Sequence, residues 1–136
     1  MSNSLKNIIV VIGAMIVGGV LIYGIESLND LIFPPPADLN TGDMEALKAY
    51  MQQAPAGSLA IILLAHACGA FISGWIISRF AASSIRMLVL ITGMIWMITG
   101  VINLVVIPHP LWFSVADACV YLPMTIIGAR LSTSEV

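Results

Sequence analysis

The chain has 136 residues, a formal net charge of −2, 60% hydrophobic residues and 9% charged ones. Soluble domains carry roughly 25% charged residues, so an aqueous globular fold is excluded and the composition is that of a polytopic membrane protein. No basic cluster exists to hold nucleic acid, and four spans of about 20 residues each leave no room for a separate soluble domain.

The first span is expected over residues 7–33. Gly13, Ala14, Gly18, Gly19 and Gly24 make it rich in small residues that let a neighbouring helix approach. Past Gly24 the pattern becomes one-sided, with Leu28, Leu31 and Ile32 on one stripe and Glu26, Asn29 and Asp30 on another. Pro34, Pro35 and Pro36 end the helix, because proline lacks the amide hydrogen and clashes with the preceding turn.

The stretch from Ala37 to Ala54 is polar. Thr41 and Asp43 are candidate N-caps, Glu45 falls in a first turn, and Met44, Leu47 and Met51 share one side. This predicts a short amphipathic helix over 43–53 at the outer membrane surface. A second span follows over 56–78, with Pro55 suited to its first turn. Its Ala65, Gly69 and Ala70, Gly74 pairs suit close helix packing.

Arg79 and Arg86 bracket a turn, and the third span covers 85–107, with Gly93 and Gly100 on a face shared by Thr92, Trp96, Thr99 and Asn103. Pro108-His109-Pro110 makes a tight connection to a fourth span over 111–130. Trp112 opens that span where an aromatic belt is expected, and Pro123 lies inside it. Cys68 and Cys119 both lie within spans and read as small packing residues rather than a disulfide.

The fold expected is an all-α membrane protein: a single domain over 1–136, built as a four-transmembrane-helix up-down-up-down bundle with the short surface helix between helices 1 and 2. Lys6, Arg79, Arg86 and Arg130 fall on one side of this topology and only Lys48 on the other. The positive-inside rule therefore places both termini in the cytoplasm, and Lys6 with its apolar run reads as an uncleaved first helix.

Each span then carries one strongly polar side chain. At roughly 1.5 Å per residue, Glu26, His66, Asn103 and Asp117 lie about 10, 14, 6 and 9 Å below the outer helix ends, a single layer in the outer half of the membrane. Ionisable groups at such depth mark functional sites by default, and each also has a plainer reading. Glu26 can sit at the headgroups, His66 can bond a carbonyl or carboxylate across helices, and Asn103 can join helices. Asp117 can be a neutral acid paired with His66 or Asn103, or can exchange protons with the outside. His109 and Trp112 are outer-surface candidates, His109 as a solvated turn residue.

No catalytic set emerges. Haem needs two axial ligands at a common depth, and His66 and His109 do not share one. A metal held by Glu26, His66 and Asp117 would draw ligands from three helices with no i, i+3 or i+4 pairing to fix them, so the metal is left unknown and no cofactor is expected. A hydrolase site lacks a convincing trio, because the only serine in the outer half of the second span, Ser58, lies at its edge. Proton or cation handling asks least of it.

Pro34-Pro35-Pro36, Ala46-Leu47-Lys48-Ala49-Tyr50, His66-Ala67-Cys68-Gly69 and Ile107-Pro108-His109-Pro110-Leu111-Trp112-Phe113 together resemble a family of small, uncharacterised bacterial four-span inner-membrane proteins. The likeness extends over nearly the whole chain. It implies a bacterial inner-membrane location and brings no activity with it. Small multidrug transporters also have four spans and a first-helix carboxylate, but theirs lies well within the helix and Glu26 lies near its end.

Two functions are therefore expected. The first is a non-enzymatic accessory, assembly or homo-oligomeric bundle whose partners are the lipid bilayer and either a second copy or a larger membrane complex. The alternative is a small proton- or cation-coupled transporter working through the polar layer.

Overall fold

A computed structural model describes residues 2–132. The described residues form five helices: α1 (Asn3–Ile32), α2 (Met44–Gln53), α3 (Ala56–Phe80), α4 (Ile85–Val106) and α5 (Leu111–Ser132). All except α2 are long and apolar enough to cross a membrane. At about 1.5 Å per residue, the 30 residues of α1 reach about 45 Å, well beyond a hydrocarbon core of about 30 Å.

Local chemistry sets the helix ends. Ser2 caps α1, its hydroxyl accepting from the Leu5 amide, and the run of prolines follows Phe33. Asp43 caps α2 by accepting from the amides of Glu45 and Ala46, the reason a 10-residue segment with no buried residue holds a helix. Pro55 stands just before α3, and α5 runs unbroken through Pro123.

The hub is α3, which packs on both α1 and α5. Asn7, early in α1, reaches the turn after α3, and Asn29, late in α1, bonds Ser58 in the first turn of α3, so these two run antiparallel. By contrast α3 and α5 run parallel, since Ser58 and Phe113 flank one cavity while Ser78 and Arg130 flank another at the far end. Glycine makes this pairing close. A Cβ on Gly74 would collide with the Thr125 carbonyl, and one on Gly128 with the Phe71 carbonyl, so the two backbones touch without intervening side chains. Helix α4 returns antiparallel to α5, with Gly93 against Leu122 and Thr125 and Gly100 against Tyr121.

The core is correspondingly small-residue and hydroxyl-rich. Ala14, Ile77 and Val89 form its apolar part. Ser73 is fully buried, its hydroxyl lying 3.0 Å from the Ala14 carbonyl and 2.8 Å from that of Gly69, and it accepts from Trp96 Nε1 at 3.1 Å. One polar atom thus joins α1, α3 and α4. The large aliphatic side chains of α1 and α4 instead face outward, as expected of a surface that lipid covers. Cys119 lies among the exposed residues and Cys68 is half-buried, so neither is a core packing residue.

The turn between α3 and α4 holds Ser84 in the left-handed region, φ 54°, the only such non-glycine among the described residues. Asn7 braces it. Its amide nitrogen donates to the Ser83 carbonyl and hydroxyl at 3.1 and 3.2 Å, and its oxygen accepts from the Ala82 amide at 2.8 Å. A strained residue persists where its surroundings over-determine it, and a buried asparagine on another helix does so here.

Candidate functional site

The end of the bundle opposite that turn holds a connected set of ionisable side chains. His66 is near the middle of α3 with its ring between two carboxylates. Nδ1 lies 2.5 Å from Asp117 Oδ1 on α5, and Nε2 lies 3.3 Å from Glu26 Oε1 on α1. Tyr121, one turn beyond Asp117, has its hydroxyl 2.9 Å from His66 Nδ1 and 3.2 Å from Asp117 Oδ2, to which it can donate, and its ring stacks on His66 at a centroid distance of 5.5 Å. Helix α4 positions the phenol. A Cβ at Gly100 would come 2.7 Å from the Tyr121 oxygen, so only glycine leaves room for it.

Exposure falls steadily along this chain of groups. The Glu26 side chain is 38% exposed, that of His66 12% and that of Asp117 1%. A carboxylate accepts hydrogen bonds only, and an imidazole with both ring nitrogens facing carboxylates satisfies both when it carries two protons. When it carries one, a proton must reside on Glu26 or Asp117, or one contact must open. The arrangement therefore has two proton-balanced states related by a shift of hydrogens over short distances.

Above the chain lies a cavity of about 280 Å³. Glu26, His66, Asn29 and Ser58 line it from α1 and α3, while Leu47, Tyr50 and Met51 of α2 close over it. Asp30, Asn103 and His109 line it as well, and no lysine or arginine among the described residues does. Asn29 is 3% exposed. Its amide nitrogen donates to the Ser58 hydroxyl at 2.8 Å, and its carbonyl oxygen is buried with no donor among the described residues. An unpaired buried acceptor costs free energy, and it lies in the wall of a cavity rich in carboxylates.

The polar residues expected at one depth thus divide. Glu26, His66 and Asp117 converge. Asn103 lines the same cavity but is exposed on α4, and its side chain makes no hydrogen bond within the described residues. At the connection between α4 and α5, His109 Nδ1 lies 2.6 Å from the Ile107 carbonyl, and the ring stacks on Phe113 with centroids 4.9 Å apart. Burial holds the His109 imidazole below its ordinary value of 6.5. Trp112 is exposed and meets Phe113 edge-on.

For a metal ion, the geometry is the wrong way round. Glu26 and Asp117 approach His66 from its two different nitrogens, so they cannot share an ion with one nitrogen lone pair. No group of three metal-ligating side chains is gathered among the described residues. Hydrophobic patterning does not single out Tyr121, although its i+4 spacing from Asp117 places it on the same helix face. In the sequence Asn29 is one member of a polar stripe and Ser58 stands at the edge of a span, and neither pattern reveals that they bond each other.

No family model, curated protein or solved structure matches this chain. Its function must therefore be read from the site itself.

Proposed function

We propose that this is a small inner-membrane protein that takes up a proton, or exchanges it for a small cation, from the outer face through the Glu26–His66–Asp117–Tyr121 chain. The observation that carries the reading is the imidazole held between two carboxylates of graded exposure beneath a cavity with no basic lining side chain from lysine or arginine. Buried ionisable groups arranged in this way suit a proton relay in a membrane.

In this reading the bundle is up-down-up-down, and α2 rests on the outer surface as a cover. Lys6, Arg79, Arg86 and Arg130 all belong to the other end, which the positive-inside rule assigns to the cytoplasm together with both termini. Glu26 exchanges protons with the cavity, His66 passes them by donating from one nitrogen as it accepts at the other, and Asp117 holds them out of water. Tyr121 keeps a hydrogen bond to Asp117 and orients the ring. Beyond it, Thr125 bonds back to the Tyr121 carbonyl at 2.8 Å and glycine-mediated backbone contacts close the bundle, so passage to the other side needs a second conformation.

A second reading is supported by the fact that the same contacts tie α1, α3 and α5 together. An accessory or self-associating bundle would use the polar chain as a fastener.

Proteoliposomes carrying an internal pH dye separate the two. Transport predicts proton or monovalent-cation flux that His66→Gln and Glu26→Gln each reduce at least tenfold, while elution volume and melting temperature stay near those of the parent. Absence of flux across a panel of monovalent cations and small amines, with the parent protein folded, refutes it. A loss of stability in these variants without any flux from the parent favours the fastener.

A further inference from the structure

The end of the bundle away from the site carries a second cavity of different character. It occupies about 510 Å³ between α4 and α5, walled by Ile85, Val89 and Leu90 on one side and Ile126 and Ala129 on the other. Arg86 and Arg130 stand together at its end, since α4 begins where α5 finishes. Arg86 is exposed and has no carboxylate within ion-pair distance among the described residues. From Arg86 to Leu90 and from Arg130 back to Ile126, the groove runs about 6 Å along each helix away from the charges.

We infer that this groove binds an anionic phospholipid, with its phosphate between Arg86 and Arg130 and an acyl chain against Val89, Leu90 and Ile126. Charge and apolarity are ordered along the helix axis as they are in such a lipid, and guanidinium pairs with phosphate through two parallel hydrogen bonds. Basic pockets between spans recognise acidic headgroups in the same manner. Size also favours a chain over a helix. A helix about 10 Å across would fill this volume in little more than one turn, too short to dock stably, whereas an acyl chain is narrow enough to follow the groove. The inference does not depend on the proton-relay reading, because it concerns other residues at the opposite end.

The test uses the full chain in nanodiscs of phosphatidylcholine doped with phosphatidylglycerol, with bound lipid counted by native mass spectrometry after release. Retained phosphatidylglycerol is expected to exceed its bilayer fraction, and Arg86→Gln and Arg130→Gln are each expected to weaken retention about fivefold. Leu90→Trp, which fills the groove and keeps both arginines, is expected to reduce retention as strongly. Retention equal to that of phosphatidylcholine overturns the proposal, as does insensitivity to the arginine substitutions. Full displacement by millimolar inorganic phosphate, or loss from the arginine variants alone with Leu90→Trp unchanged, identifies a simple anion site and also overturns it. A dimer that Leu90→Trp dissolves without any change in bound lipid assigns the groove to a second copy and refutes the lipid.

Discussion

Asp117 is the most informative residue to perturb, because two substitutions of similar size separate its charge from its acceptor role. In the folded protein it faces His66 Nδ1 at 2.5 Å and receives the Tyr121 hydroxyl at 3.2 Å, with 1% of its side chain exposed. Hydrogen bonds to ionised groups contribute about 1.5–3 kcal/mol net and neutral ones about 0.5–1.5, although bonds inside membrane bundles average roughly 0.6 and reach about 1.7. Asp117→Asn keeps the volume and an acceptor oxygen and removes charge assistance, for an expected loss of about 1 kcal/mol. Asp117→Leu removes the carboxylate that both groups face and leaves the ring and the phenol, 2.9 Å apart, only each other as partner. With one bond lost outright and the charge assistance gone, the expected cost is about 2 kcal/mol, roughly thirtyfold in the folding equilibrium. Titration of detergent-solubilised protein with dodecyl sulfate, followed through its three tryptophans, measures both. The order parent, Asn, Leu is expected. A Leu variant as stable as the parent, or an Asn variant as weak as Leu, refutes this account of the network.

Gly74→Ala is expected to lose about 1–3 kcal/mol, since its Cβ meets the Thr125 backbone and cannot be relieved by a side-chain rotation. Gly13→Ala, with nothing near its Cβ, should be neutral or slightly stabilising in the same titration, and equal effects at both positions contradict the close pairing of α3 and α5. At the connection between α4 and α5, burial holds His109 below its ordinary 6.5. The unfolded chain therefore binds this proton first, and the stability due to the neutral ring is whole above pH 6.5 and falls as pH drops below it. The His109→Gln protein should lose that part of the acid sensitivity, and a melting profile between pH 7 and 5 that parallels the parent's rules it out.

Helix identity was legible in the sequence because it rests on local chemistry: long apolar runs, the proline block after Phe33 and the Asp43 cap. The shared level of Glu26, His66 and Asp117 along the bundle followed too, since rise per residue is fixed. Azimuth did not. Counting turns puts Asn103 at nearly the level of Asp117, but only packing decides that Asn103 stays exposed where it lines the cavity while Asp117 is buried against α3. Likewise the two small-residue pairs on α3 look alike on paper. In the structure Gly69 meets Gly18 and Ile22 of α1, whereas Gly74 meets α5. Asn7 reads locally as the edge of an apolar run, and its role as the brace of the Ser84 turn depends on residues more than 70 positions away. Tyr121 was within reach, because its i+4 relation to a buried aspartate is a sequence fact that hydrophobic patterning alone conceals.

The parallel contact of α3 with α5 also orders events in time. His66 and Asp117 are 51 residues apart, and at about 5–20 residues per second the ribosome delivers the carboxylate roughly 3–10 s after the imidazole. Throughout that interval α4 is made. Glu26 is already present, so the partner that faces His66 Nε2 at 3.3 Å precedes the histidine in the chain while the partner that faces Nδ1 follows it, and the site is completed only by the last helix.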